Sequence, residues 1–173
     1  MRFRLDQALP GTVEEVLAAF TDPEYLATIG TTAKVGEPEV LEQTRHGDSV
    51  RQLVRYRFTG DLAPAVTAVI DRRRLVWVDE HVYDLALATA TFRVLPEHYA
   101  DRLRAGGTER FVVAPSGEGT IRQVEAELTV RWPVIGGMVE KAIVSGLKEH
   151  LADEADRIAG WLSAAGRERP AGP

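Results

Sequence analysis

Cysteine is absent from the sequence, which excludes disulfides, thiolate nucleophiles and zinc–thiolate sites. Short catalytic and cofactor signatures are missing too. There is no G-x-x-x-x-G-K-S/T or G-x-G-x-x-G to cradle phosphate, no nucleophile elbow and no H-E-x-x-H. No stretch approaches the roughly 18 apolar residues that span a bilayer, and the opening MRFRLDQALP lacks the apolar segment of a signal peptide. The expectation is a cytoplasmic protein without stable membrane insertion. Clustered positive charge is also scarce. The net charge is -5 at pH 7, and the dense basic run Arg72-Arg73-Arg74 follows Asp71 and precedes a strand pattern, where a solvated turn belongs. Nucleic acid is therefore not an expected partner, because phosphate-backbone affinity rests on grouped Lys and Arg.

What is present is the make-up of a soluble globular protein: 173 residues, 45% of them hydrophobic and 27% charged. A single domain over residues 1–163 is expected. Residues 164–173, small, charged and rich in Pro and Gly, read as a flexible tail.

Met1, Phe3 and Leu5 alternate with Arg2, Arg4 and Asp6, the period of a half-buried strand. Thr12 and Glu15 then form a capping box ahead of Val13, Val16, Leu17 and Phe20. Asp22 with Pro23 starts a second short helix that Gly30 stops. Strand patterns follow at 34–45, 49–59, 74–84, 86–95, 107–114 and 119–132. HGD (46–48) and SGEG (116–119) are hairpin turns. The segment 60–71 reads as a loop with a helical turn after Pro64, and 96–107 as a short inserted helix ended by Gly106-Gly107. From residue 135 the apolar set 135, 138, 139, 142, 143, 146, 147, 150, 151, 155, 158, 161 and 162 keeps a 3.6-residue period. That predicts a helix of about 28 residues, roughly 42 Å long.

One strand, two short helices, six strands and one long helix imply an α+β architecture, an antiparallel sheet with one dry face covered by the long helix. This order, TVEEVLAAFTDPEYL (12–26) and the closing PVIGGMVEKAIVSGLKEHLADEADRIAGWL resemble the START, pollen-allergen and polyketide-cyclase superfamily (SRPBCC). The resemblance implies the helix-grip fold, a curved antiparallel sheet of about seven strands wrapped on the C-terminal helix. It also implies a cavity for an apolar small molecule such as a lipid, polyketide or quinone. It carries over no catalytic residue, and function does not follow from fold.

The long helix spends hidden positions on Ala142, Gly146 and His150, although Gly inside a helix costs about 1 kcal/mol relative to Ala. Either sheet aromatics such as Trp77, Tyr56 or Phe92 fill that volume, or a ligand cavity does. The expected lining comprises Phe20, Tyr25, Leu26, Ile29, Gln52, Val54, Tyr56, Phe58, Phe92, Leu128, Val130, Met138, Ala142, Ile143, Gly146, Leu147 and His150. Tyr25, Leu26 and Ile29 belong near its mouth if the superfamily geometry holds. The strand 74–84 leaves its sidedness open. If its aromatic face points inward, Asp79, His81 and Tyr83 form an acid–base cluster; if the Val face does, Glu80 is the polar residue inside. His150, Tyr56, Asp79 and His81 are the weak catalytic candidates. His150 and Glu154 are one helical turn apart, but two ligands without a third make no metal site. No cofactor or metal is expected. The leading expectation is binding or carriage of a hydrophobic small molecule by a monomer or homodimer. The alternatives are a cofactor-free enzyme of cyclase, aromatase or dehydratase type, and a protein-interaction module.

Overall fold

A computed structural model of the chain describes residues 1–30, 34–68 and 70–168. Strand β1 (Arg2–Leu9) leads into helices α1 (Val13–Phe20) and α2 (Pro23–Thr28). The reciprocal Thr12–Glu15 capping box is formed, and Asp22 accepts from the backbone N–H of Glu24 with Pro23 in the first turn. Next come β2 (Glu39–His46), β3 (Ser49–Arg57), the turn α3 (Pro64–Thr67), β4 (Val76–Asp84), β5 (Thr89–Pro96), β6 (Leu103–Val113), β7 (Thr120–Val130) and the long helix α4 (Gly136–Glu168). The strands form one antiparallel sheet in the order β1-β7-β6-β5-β4-β3-β2. This is the helix-grip fold. Gly47, Gly117 and Gly119 adopt the positive φ angles that the two hairpin turns require.

Three boundaries differ from expectation. Residues 97–102 form a turn-rich connection, not a helix, and β6 begins at Leu103 with Gly106-Gly107 inside it. Both glycines are required by close backbone approach. A Cβ on Gly107 would lie 2.1 Å from the Glu125 carbonyl oxygen, and one on Gly106 2.9 Å from that of Phe92. The second difference is at β2, which starts at Glu39; upstream, Val35 makes only an isolated bridge to Phe58. Third, α4 continues to Glu168, beyond the expected end near Leu162. Of the segment read as a tail, residues 169–173 lie outside the described residues.

The helix is also rotated relative to its apolar stripe. Met138 and Ala142 face solvent, with Met138 48% exposed. Two glutamates explain the rotation. Glu140 Oε1 accepts from the Val130 N–H at 2.9 Å, and Glu154 Oε2 accepts from Arg122 Nη1 at 2.7 Å. Charge-assisted hydrogen bonds of this kind outweigh the small gain from burying an alanine.

Apolar packing collects at the two ends of the sheet. At one end Phe20, Tyr25, Leu26, Val50, Tyr83, Phe111 and Ile158 form the main core, with Trp161 and Leu162 against it. At the other, Val66, Ile70 and Ile135 pack with Tyr99, Trp132 and Val139. Between them α4 packs closest on β1 and β7, the strands at one edge of the sheet.

Candidate functional site

Strand pairing fixes which side chains look at α4. In β3 the residues Val50, Gln52, Val54 and Tyr56 face inward, and the register sets Tyr56 opposite Trp77, Val54 opposite Asp79, Gln52 opposite His81 and Val50 opposite Tyr83. The aromatic face of β4 is therefore the inner one. Glu80 points outward, where Arg93 and Arg51 grip it; these guanidiniums hold its carboxyl below the ordinary range.

The middle of this inner face is a partly exposed strip, the trough, whose inward side chains α4 covers incompletely. Tyr56, Trp77, Asp79, Phe92, Val94, Ala105 and Val130 point toward α4 yet are only half-buried, as are Ile143, Gly146, Leu147 and His150 on the helix. Tyr56 stacks on Trp77 with centroids 5.9 Å apart, and His150 meets Tyr56 edge-on at 6.5 Å. His81 is layered between Tyr83 and Phe92 at 5.6 and 5.5 Å. Gly146 opens toward Lys34, whose Cδ would lie 3.8 Å from an added Cβ and whose Nζ pairs with Glu149 at 2.6 Å.

Toward the main core the trough ends in a buried ion cluster. Arg122 donates to Glu109 at 2.5 Å, to Glu154 at 2.7 Å and to Gln7 at 3.3 Å; Gln7 in turn donates to the Leu151 carbonyl at 2.5 Å. The cluster ties β1, β6, β7 and α4 together. Burial would raise the Glu109 carboxyl, but Arg122 and His81, whose Nε2 is 3.7 Å away, outweigh it and bring it down to about 2.

Asp79 behaves oppositely. Burial dominates there, and His81, Trp77 and Arg122 offset it only in part, so its carboxyl rises to about 6. Its Oδ1 is sealed without a hydrogen-bond partner, and so is His150 Nδ1. Burial also pushes the Tyr56 and Tyr83 hydroxyls up, keeping both neutral. A carboxyl that changes charge near neutrality, beside an imidazole and a neutral phenol, can accept or return a proton.

A second concavity lies on the outer face, an open groove of about 770 Å³ over Gly106 and Gly107. Its charges are spent on each other, Arg4 with Glu125 at 2.9 Å and Arg2 with Glu127 at 3.7 Å. The unmet Asp79 and His150 atoms belong to the trough instead. No group of three or more His, Cys, Asp or Glu among the described residues is placed to hold a metal ion. No described helix is long and apolar enough to cross a membrane.

Residues 4–162 match the family described as "Protein of unknown function (DUF2505)". The chain belongs to that family. No curated protein matches its sequence. Among solved structures it is similar to TTHA0849 from Thermus thermophilus, with TM-score 0.62 and 23% identity over 92% of this chain and 98% of that one. Norcoclaurine synthase of Thalictrum flavum, in complex with a transition-state analogue, aligns with TM-score 0.61 and 13% identity over 96% and 94% of the two chains. The di-domain ARO/CYC StfQ from the steffimycin biosynthetic pathway aligns with TM-score 0.51 and 18% identity over 91% of this chain and 45% of that one. The shared feature is the fold, a curved antiparallel sheet with a long C-terminal helix.

In this DUF2505 chain the residues expected to line a cavity divide into groups. Tyr56, Phe92, Val130, Ile143, Gly146, Leu147 and His150 border the trough, with buried Val54 and Leu128 beneath it. Phe20, Tyr25, Leu26 and Ile29 sit in the main core, each at most 6% exposed, and Tyr25 packs edge-on to Trp161 at 5.7 Å. Gln52 is 2% exposed and donates to the Phe20 carbonyl at 3.0 Å, so it locks α1 to the sheet. Phe58 is half-buried at the end of β3, beside Gly60. Met138 and Ala142 lie outside. Glu109 and Arg122 were not anticipated from the pattern. The signal was available, because Arg122 continues the inward parity of Val124, Ala126 and Leu128, and Gln7 that of Phe3 and Leu5.

Proposed function

We propose that this chain binds a hydrophobic small molecule in the trough between α4 and the middle of the sheet. The observation that carries the reading is the half-exposure of inward-facing Tyr56, Trp77, Phe92, Ile143 and Leu147, under a helix fixed on either side of them by Glu140 and Glu154. Apolar surface left open inside a fold is a place for a ligand, since each Å² removed from water gains about 25 cal/mol. The descriptions of two similarly folded proteins, one with a transition-state analogue and one from a biosynthetic pathway, support the same reading. The test is to incubate the purified chain with a lipid and polyketide extract and take native mass spectra. A bound species that is lost when Ala105→Phe fills the trough is the expected result. A chain that carries nothing from the extract overturns the proposal.

A second reading, a cofactor-free acid–base enzyme acting on the bound molecule, is favoured by Asp79, whose carboxyl is raised to about 6 beside His81. It requires that turnover of a bound compound be lost in Asp79→Asn while binding persists. Unchanged turnover in that variant removes it.

A further inference from the structure

The end of the sheet where α4 begins carries a fully exposed valine, and the backbone holds it there under strain. Val134 is 102% exposed and has a φ of 67°. A β-branched residue is strongly disfavoured in that left-handed region. The Ile135 N–H donates to the Pro133 carbonyl at 2.8 Å, which closes a γ-turn of the rare, strained hand around Val134, and the Gly136 N–H donates to the Trp132 carbonyl at 3.0 Å. This turn sends Ile135 into the smaller core and Val134 out into water. No packing inside the fold repays the valine. Four residues on, Met138 is 48% exposed and shares the solvent face of α4 with exposed Lys141.

Cations surround this apolar tip. Arg102 lies over the Trp132 ring at 5.7 Å and Arg74 over the Tyr99 ring at 5.4 Å, and the two rings meet edge-on at 5.2 Å. The Arg131 N–H donates to the Arg102 carbonyl at 2.7 Å, which brings a further arginine to the same place. The nearby acids are already engaged. Asp61, Asp71 and Asp101 pair with Arg72, Arg73 and Arg102, and Glu140 accepts from the Val130 N–H. Arg74, Arg131 and Lys141 have no carboxylate partner among the described residues. The tip is therefore positive, on a chain whose net charge is -5.

A projecting aliphatic tip ringed by cations enters its partner and is not entered by it. A soluble polyanion would satisfy the cations but leave Val134 and Met138 in water. An anionic bilayer takes both: aliphatic side chains reach the acyl boundary, Trp and Tyr rings suit the headgroup level, and cations meet phosphate. We infer that this end docks the protein reversibly on membranes containing anionic phospholipid, with Val134 and Met138 inserted and Arg74, Arg131 and Lys141 against the headgroups. The inference goes beyond ligand binding in the trough and does not depend on it.

Co-sedimentation of the full chain with vesicles of phosphatidylcholine, alone and mixed with phosphatidylserine, tests this. The expected result is binding to the mixed vesicles, little to phosphatidylcholine alone, and loss of binding as salt is raised. Val134→Gly relaxes the positive φ, so that variant should fold at least as stably as the parent and yet partition at least about fivefold more weakly. Arg131→Ser and Lys141→Ser should each weaken binding to the mixed vesicles about fivefold. Leu87→Ser, at a residue 71% exposed in the β4–β5 hairpin at the opposite end of the sheet, should leave it unchanged. No binding to either vesicle overturns the proposal, as does binding that Val134→Gly leaves intact or that Leu87→Ser weakens equally. Retention on heparin without vesicle binding also overturns it, and assigns the cations to a soluble polyanion.

Discussion

The main core and the trough are built from the same strands at the same inward parity, yet one is closed and the other is not. On β4, Tyr83 is 4% exposed in the core. Two, four and six residues earlier, His81, Asp79 and Trp77 also face inward but remain half-buried. The difference comes from what lies opposite. Over Tyr83 the fold stacks α1, α2 and the C-terminal half of α4, bringing Phe20, Tyr25, Ile158 and Trp161. Over Asp79 and Trp77 the covering element is the middle of α4, with Gly146, Leu147 and His150. Alternation decides which residues look inward, and the covering layer decides whether they are sealed.

The comparison can be broken at its border. Arg122→Met should destabilise the chain most, by about 3–5 kcal/mol, because it strands Glu109 and Glu154 without their cation; chemical denaturation measures this. Truncation should next separate the two regions. Ile158→Ala, at a residue 0% exposed, should cost about 2–5 kcal/mol, whereas Leu147→Ala in the trough should cost about 1 kcal/mol or less. Equal losses would mean that the trough is packed like the core.

The two buried carboxyls give opposite pH signatures. Asp79 has a folded value of about 6 against an ordinary 3.8, so its contribution to stability is full below about 3.8 and is lost as pH rises through about 6. Asp79→Asn should therefore be more stable than the parent at pH 8, by up to about 3 kcal/mol, and equal to it at pH 3.5. Glu109 has a folded value of about 2 against 4.5. Its contribution is present above 4.5 and lost as pH falls toward 2, and Glu109→Gln should flatten that acid limb. Thermal unfolding across pH reads both. The smallest effect is expected at Met138→Ser on the solvent side of α4, within about 0.5 kcal/mol of the parent.

Much of the frame was legible in the sequence because it rests on local chemistry. The Thr12–Glu15 box, Asp22-Pro23, the turn glycines and the alternation of 122–130 each act within a few residues. The sidedness of β4 was not local, since both of its faces mix valine or aromatic residues with acids. Its resolution lay in the neighbouring strand. Arg51 points outward on β3 and needs an outward acid, which Glu80 supplies. Gly106-Gly107 suggested a helix end because the reason for glycine, a 2.1 Å clash with the Glu125 carbonyl, exists only after β6 and β7 pair. The apolar stripe of α4 placed Met138 and Ala142 inside because it assigned no weight to Glu140 and Glu154, whose long-range partners set the rotation. Of the candidate site, Tyr56, Asp79, His81 and His150 were legible as chemistry-bearing residues. Their assembly with Arg122 and Glu109 required the register.

Glu140 and Glu154 give α4 a mechanical character. The helix is a beam pinned at two supports, one on the end of β7 and one on the ion cluster, with a more lightly held span around Gly146 between them. A beam supported in this way deflects most at mid-span. Glycine lowers its stiffness there, and the Lys34–Glu149 pair acts as a light strap across the same point. Backbone amides around residues 143–149 should accordingly exchange with solvent sooner than those around Leu151 and Ile158, so that the trough can widen from the centre without loosening either support.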